Sequence, residues 1–298
     1  MTETIESMEG RANRAARAHT GETAWPTILL GGFCFSAFGA TLCLAALGVV
    51  PLWLSFLVIA LVVYASYTIV HEAVHGSING KNRSLVWLND MMGYAAAQLI
   101  GASFTAHRKE HLAHHRATNK PGADPDFELV GGSLSTVMLG TLKALPLQIK
   151  FYLDHHWREA STRERTLFVA EYAVMIAWRI AFVYFAGWQT ALVLLVGATL
   201  FGIFVTLLGF AWVVHRPFDG VGRYKDTATI IFPRPMDTVI SWLWLFQNYH
   251  SIHHLFPRVP FYRYRQVFTQ IEEVMQANGA PIIRVGASAM STRVSLPL

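Results

Sequence analysis

The chain has 298 residues, of which 53% are hydrophobic and only 14% are charged, against about 25% charged in an average soluble domain. With two cysteines and a net charge of +5, this composition excludes a disordered chain, a disulfide scaffold and an ordinary soluble enzyme with a charged surface. The basic residues are not clustered with base-stacking aromatics, so the charge does not indicate a nucleic-acid partner.

Residues 1–24 are polar, carry Arg11, Arg14 and Arg17, and lack the apolar core and cleavage site of a signal peptide. They are expected to be a disordered cytosolic leader. From Ala24 to Val70 there is no Asp, Glu, Lys, Arg or His. That stretch is long enough for two membrane helices, placed at residues 25–48 and 51–70, with Pro51 in the turn between them. A second uncharged stretch, Ile180–Val214, together with the apolar residues before it gives two more spans at 166–186 and 188–214. The expected fold is an all-α integral membrane protein with four spans in two hairpins and a cytosolic helical cap. That core covers residues 25–265, and residues 266–298 form a cytosolic tail.

None of the 24 Lys and Arg residues falls in either hairpin turn. The positive-inside rule therefore places both termini and the middle segment in the cytoplasm. The segments Leu85–Ala106, Leu134–Leu153 and Val239–Phe246 are too mixed for spans and read as helices lying at the membrane interface. Glu171 and Arg179 share one face of the third span. A charge as deep as Arg179 calls for a partner or a polar cavity, unless it snorkels to the interface.

The thirteen histidines are not scattered. His71-Glu72-Ala73-Val74-His75 follows the second span directly. His111, His114 and His115 lie in the middle segment, one helical turn after His107. His250, His253 and His254 follow the fourth span. Histidines three or four apart share a helix face, and neutral imidazole is a common metal ligand. His215 ends the fourth span at the depth of His71. The nine candidate ligands are thus His71, His75, His111, His114, His115, His215, His250, His253 and His254. Nine imidazoles exceed one ion's coordination and suit two ions of four or five ligands each. Imidazole suits iron, copper, zinc and nickel, so the nitrogens alone do not name the metal.

His71-Glu72-x-x-His75 also fits the H-E-x-x-H pattern, in which two histidines bind zinc and the glutamate acts as base. A membrane zinc protease needs one further ligand and leaves the other two clusters unexplained. It stands as a remote alternative.

The motifs His71–Gly76, His111–Asn119 and Asn248–Pro260 together resemble the three histidine boxes of the membrane fatty-acid desaturase superfamily, which includes acyl-lipid desaturases and carotenoid hydroxylases and ketolases. The resemblance runs from about Tyr64 to Tyr264. It implies two non-haem iron ions, O2 as co-substrate, and an external electron donor such as ferredoxin or a b-type cytochrome. It also implies a long-chain acyl lipid to be desaturated or, alternatively, a carotenoid ring to be hydroxylated or ketolated. His215 matches the family's additional ligand. Glu72, His107 and Asn248 are candidates for orienting the ligands from behind. Asp124-Pro125-Asp126 is placed to tie down the loop after the second box. His19, His155 and His156 belong to no box.

Overall fold

The computed structural model describes residues 5–127, 129, 132–215 and 220–286. The chain is mostly helical. Four helices are long and apolar enough to cross a membrane: α2 (Trp25–Ala46), α3 (Leu52–His75), α7 (Thr162–Ala186) and α8 (Trp188–His215). Here α1 is Ile5–Ala18, α4 Val86–Ile100, α5 Phe104–Ala117 and α6 Leu134–His155. Beyond α8 come α9 (Met236–Leu243), α10 (His250–Leu255) and α11 (Tyr264–Ala277).

The spans fall where the charge map puts them, with one informative difference. The second was expected to stop at Val70, but α3 continues to His75 and ends on Gly76, whose φ of 65° is the left-handed cap that glycine tolerates. His71 and His75 are therefore on the last turn and a half of the span. Buried α3 packs between α2, α4 and α8. Its crossing with α8 depends on Gly202, where a Cβ would stand 2.7 Å from the Ala60 carbonyl oxygen and the Val63 side chain. Small residues allow such close approach between membrane helices. Two π-helical turns, Leu192–Ala198 and Leu207–Trp212, interrupt α8 before His215.

The three mixed segments form α4, α6 and α9. Each leaves apolar side chains exposed, including Val86, Trp87 and Met91 on α4, Met138 and Leu142 on α6, and Trp242 and Leu243 on α9.

The leader expected to be disordered contains a helix. Ala12 and Ala16 of α1 are buried against α11, in a core shared with Tyr249, Tyr264 and Phe268. Two small residues one turn apart let α1 lie close to its neighbour, which an argument from polarity and charge overlooks. The tail likewise begins as structure: α11 is followed by β2 (Ile282–Arg284), which pairs in parallel with β1 (Thr229–Ile231). Residues 1–4 of the leader and 287–298 of the tail lie outside the described residues.

Candidate metal centre

Three helices and one span end converge. The last turns of α3 carry His71 and His75. Helix α5 carries His111, His114 and His115, α10 carries His250, His253 and His254, and α8 ends on His215. Candidate ligand nitrogens of His71, His75, His111, His115 and His253 all lie within 4.8 Å of one another, and those of His114, His215 and His254 form a second such group. His250 adjoins the second group, with its Nε2 3.2 Å from that of His254. The nine histidines thus gather at one place and divide into two neighbouring sets.

The nitrogens are arranged as ligands rather than as hydrogen-bonding partners. His115 Nε2 faces His253 Nε2 at 2.8 Å and His111 Nε2 at 3.1 Å, and His111 Nε2 faces His75 Nε2 at 3.0 Å. A neutral imidazole has one N–H, so three or four such nitrogens cannot all bond to one another. A transition metal about 2.1 Å from each nitrogen separates neighbouring ligand nitrogens by roughly 3 Å. His71 Nε2 is buried and has no hydrogen-bond partner. The donor set therefore fits two transition-metal ions, one held by five imidazoles and one by His114, His215, His254 and His250.

The opposite ring nitrogens are anchored. His250 Nδ1 donates to Gln247 Oε1 at 2.7 Å, His114 Nδ1 to Asp124 Oδ1 at 2.8 Å, and His215 Nδ1 to the Asp226 carbonyl at 3.3 Å. His253 Nδ1 pairs with the Tyr264 hydroxyl at 3.1 Å. Such bonds fix ring orientation, and each proton held on Nδ1 leaves an Nε2 lone pair facing inward. Asp126 also stands 3.6 Å from His114 Nδ1, and an Asp226 oxygen 3.5 Å from His254 Nδ1. Three carboxyl groups thus stand behind the second set; burial pushes Asp126 up to about 7 and Asp226 up to about 6, while Asp124, bonded to His114, is held below the usual carboxylate range.

Burial and the neighbouring imidazoles push His111, His115, His250, His253 and His254 below the usual histidine range. Those rings are neutral, the form that ligates metal. Burial lowers His114 too, but the Asp126 and Asp124 carboxylates outweigh it and hold the ring up at about 9.

Of the three residues expected to orient ligands from behind, His107 stacks on a ligand ring, while the hydrogen bonds of Glu72 and Asn248 run elsewhere. Glu72 is buried, and its carboxylate accepts from the Thr27 hydroxyl at 2.5 Å and the Phe261 backbone N–H at 2.6 Å. Its two oxygens thus pin span α2 and the segment after the third box. Asn248 donates to the Ile230 carbonyl and Ser241 Oγ, both at 3.1 Å, and so ties α9 to β1. His107 stacks on His111 with ring centroids 5.6 Å apart, but its Nδ1 faces Gln148. The residues that do anchor ligands are Asp124, Gln247 and Tyr264. Asp124 was marked from its motif; Gln247, one turn before His250, carried a sequence signal that went unread, and Tyr264 carried none.

The two awkward charges of α7 are also explained. Glu171 accepts from the backbone N–H groups of Phe104 and Thr105 and from the Thr105 hydroxyl, capping the start of α5. Arg179 donates to the carbonyls of Met175 and Gln98 at 3.3 and 3.0 Å and lies over the Trp178 ring. His155 and His156 end or follow α6 beside Phe151, and His19 meets Gln270 on α11.

Beside the first set, between α3, α5, α6 and α8, lies a cleft of about 80 Å³. Val70, Ile100, Leu145, Ile203 and Leu207 are among its walls, and Tyr67, His107, Glu110 and Gln148 form a polar end. The Tyr67 ring lies 5.8 Å from His71 and 5.6 Å from His107.

Fold and site together give four helices apolar enough to cross a membrane and, beside an apolar cleft, clusters of histidines able to hold metal. Residues 47–286 match the fatty acid desaturase family, and the chain belongs to that family, whose enzymes are non-haem di-iron oxidoreductases. Among its relatives is a beta-carotene ketolase of Paracoccus, 30% identical over 233 residues, 75% of this chain and 77% of that protein. A Delta(5) fatty acid desaturase of Caenorhabditis elegans is 25% identical over 251 residues, 72% of this chain and 55% of that protein. A sphingolipid delta(4)-desaturase of Drosophila melanogaster is 26% identical over 193 residues, 64% and 57% respectively. The chain thus spans little more than half the length of those two desaturases.

Proposed function

We propose that this protein is an oxygen-dependent di-iron oxidoreductase that oxidises an unactivated C–H bond of a long-chain lipid. The observation that carries the reading is the convergence of nine buried or half-buried imidazoles, divided into two sets, beside an apolar cleft. The chemistry a di-iron group supplies when bound is reduction of O2 by electrons from an external donor, such as ferredoxin or a b-type cytochrome, coupled to C–H oxidation.

The chain's own residues do the rest. Asp124, Gln247 and Tyr264 hold their ligand rings in register. Aliphatic side chains from α3, α6 and α8 line the slot that admits the lipid and exclude water from it. Because neither hairpin turn carries Lys or Arg, the metal centre and both termini are assigned to the cytoplasmic face. An external donor reaches the centre from that side, while the lipid enters from the bilayer.

The substrate we assign is a fatty acyl lipid, which is desaturated; the family match and the two desaturase relatives support this. A carotenoid ring is the second reading, favoured by the Paracoccus ketolase, a relative of similar length. Expression in a host that makes β-carotene, followed by acyl and pigment profiling, separates them. New double bonds with unchanged pigments support the first reading. New keto or hydroxy pigments with unchanged acyl chains support the second. No change in either, with iron loaded and a donor supplied, overturns both.

A further inference from the structure

The charges of α1 and of the segments around it fall into two groups. Arg11 pairs with Glu273 of α11 at 3.3 Å, Arg223 with Glu9 of α1 at 3.3 Å, and Arg263 with Glu22 at 3.7 Å. Arg17, Lys81 and Arg258 are exposed, and none of the three meets a carboxylate among the described residues. All three line one hollow of about 440 Å³, and no Asp or Glu is among its described walls.

The cations are held by the backbone beneath them. The Lys81 N–H donates to the Gly21 carbonyl at 2.9 Å. A Cβ on Gly21 would stand 2.8 Å from Lys81 Cδ and Cε, so the aliphatic stem of Lys81 lies across that glycine. Arg17 is in the last turn of α1, which is fixed against α11 through Ala12 and Ala16. Arg258 precedes the fully buried Val259.

The hollow also adjoins the metal centre. Gly76 and Leu255 line it, and they directly follow His75 and His254. His75 belongs to the first histidine set and His254 to the second. Both rings are half-buried, whereas most of the candidate ligands are buried. A neighbouring hollow of about 620 Å³ is lined by Glu110, Asp124 and Asp154 together with Arg116 and Lys150, so its charge is mixed. Only a surface of one sign selects a partner of the opposite sign.

We propose that Arg17, Lys81 and Arg258 form the docking surface for an acidic one-electron carrier protein, seated over the segments that carry His75 and His254. This rests on the reading of the centre as an oxygen-dependent oxidoreductase site. That reaction takes one O2, two electrons and two protons, and yields a double bond and two waters or an alcohol and one water. The carrier is oxidised by one electron at each encounter, so two encounters feed each turnover. A small, charge-steered interface suits this exchange, because it forms quickly and releases the spent carrier.

The test is the association of oxidised carriers with the iron-loaded, detergent-solubilised full chain. The probes are an acidic 2Fe–2S ferredoxin and the acidic soluble domain of a b-type cytochrome, with basic cytochrome c as control. At low salt an acidic carrier is expected to associate about tenfold faster than the control, and high salt removes the advantage. Arg17→Glu and Lys81→Glu each slow it about tenfold with iron content and melting temperature retained. Arg163→Glu, the same charge change on α7, does not. In the wild-type chain, carbodiimide joins Lys81 Nζ to a carboxylate of the carrier, a readout that needs no variant to fold. Equal association of acidic and basic carriers, or cross-links confined to other lysines, overturns the proposal. So does unchanged carrier binding in both variants with weaker retention on vesicles of anionic lipid, the result expected if these cations serve only the membrane surface. Docking is read without turnover, so two failures are distinguishable. Lipid oxidation driven by a small chemical reductant, with no docking here, refutes this surface and leaves the oxidoreductase reading. Docking here without oxidation of any lipid does the reverse.

Discussion

The carboxylate of Glu72, on the second span, accepts a hydrogen bond from the backbone N–H of Phe261, 189 residues further along the chain. Its other oxygen accepts from Thr27 on the first span. One side chain, next to His71, thus holds the segment after the third box against two membrane helices. Glu72→Ala leaves two buried donors unpaired, a loss of about 1–3 kcal/mol each. It is expected to lower the melting temperature and reduce iron content together. Glu72→Gln keeps an acceptor and retains more of both. Proteolytic activity abolished by Glu72→Gln, with no dependence on O2, would contradict the role described.

The division of the imidazoles predicts which metal each ligand controls. His253→Ala removes a nitrogen from the five-membered set, and His215→Ala removes one from the other. Each variant is expected to fall from about two irons per chain toward about one, measured by elemental analysis alongside protein concentration. Unchanged iron and full activity in either variant would refute the two-set arrangement.

The anchors behind the rings are expected to matter unequally. Asp124 fixes His114 and also accepts from the backbone N–H groups of Asn119 and Asp126 at 2.8 and 3.0 Å. Asp124→Asn is therefore predicted to weaken metal retention by about 10–100-fold. Tyr264→Phe removes a single bond to His253 and has the smaller effect. Chelator competition at fixed pH ranks the two.

Glu171 acts on the centre from a distance. It caps α5, which carries three of the nine imidazoles, from the neighbouring span. Glu171→Ala is expected to destabilise the protein by about 0.5–2 kcal/mol and to increase amide exchange in the first turn of α5. Hydrogen exchange read by mass spectrometry locates the change; protection lost instead at α10 would contradict the assignment.

Much of the molecule could be read from the sequence, because the physics that fixes it is local. An uncharged stretch of the required length determines a span whatever packs beside it, so all four candidate spans were placed to within a few residues. Histidines at helical spacing determine a shared face, so the nine imidazoles were named in advance. The metal was not, since nitrogen ligands serve several ions alike. Only the tertiary structure decided how the three boxes divide into two sets and where the buried charges go. The local pattern around Glu72, Asn248 and His107 placed them near the ligands. Among their actual partners, Phe261, Ile230 and Gln148 lie 18 or more residues away in the chain and are set by packing. The leader shows the same limit: its polarity was visible, but the fit of Ala12 and Ala16 against α11 exists only once both helices are in place. Composition fixed the solvent this protein lives in and the spacing of its ligands; long-range contacts fixed which atoms hold them.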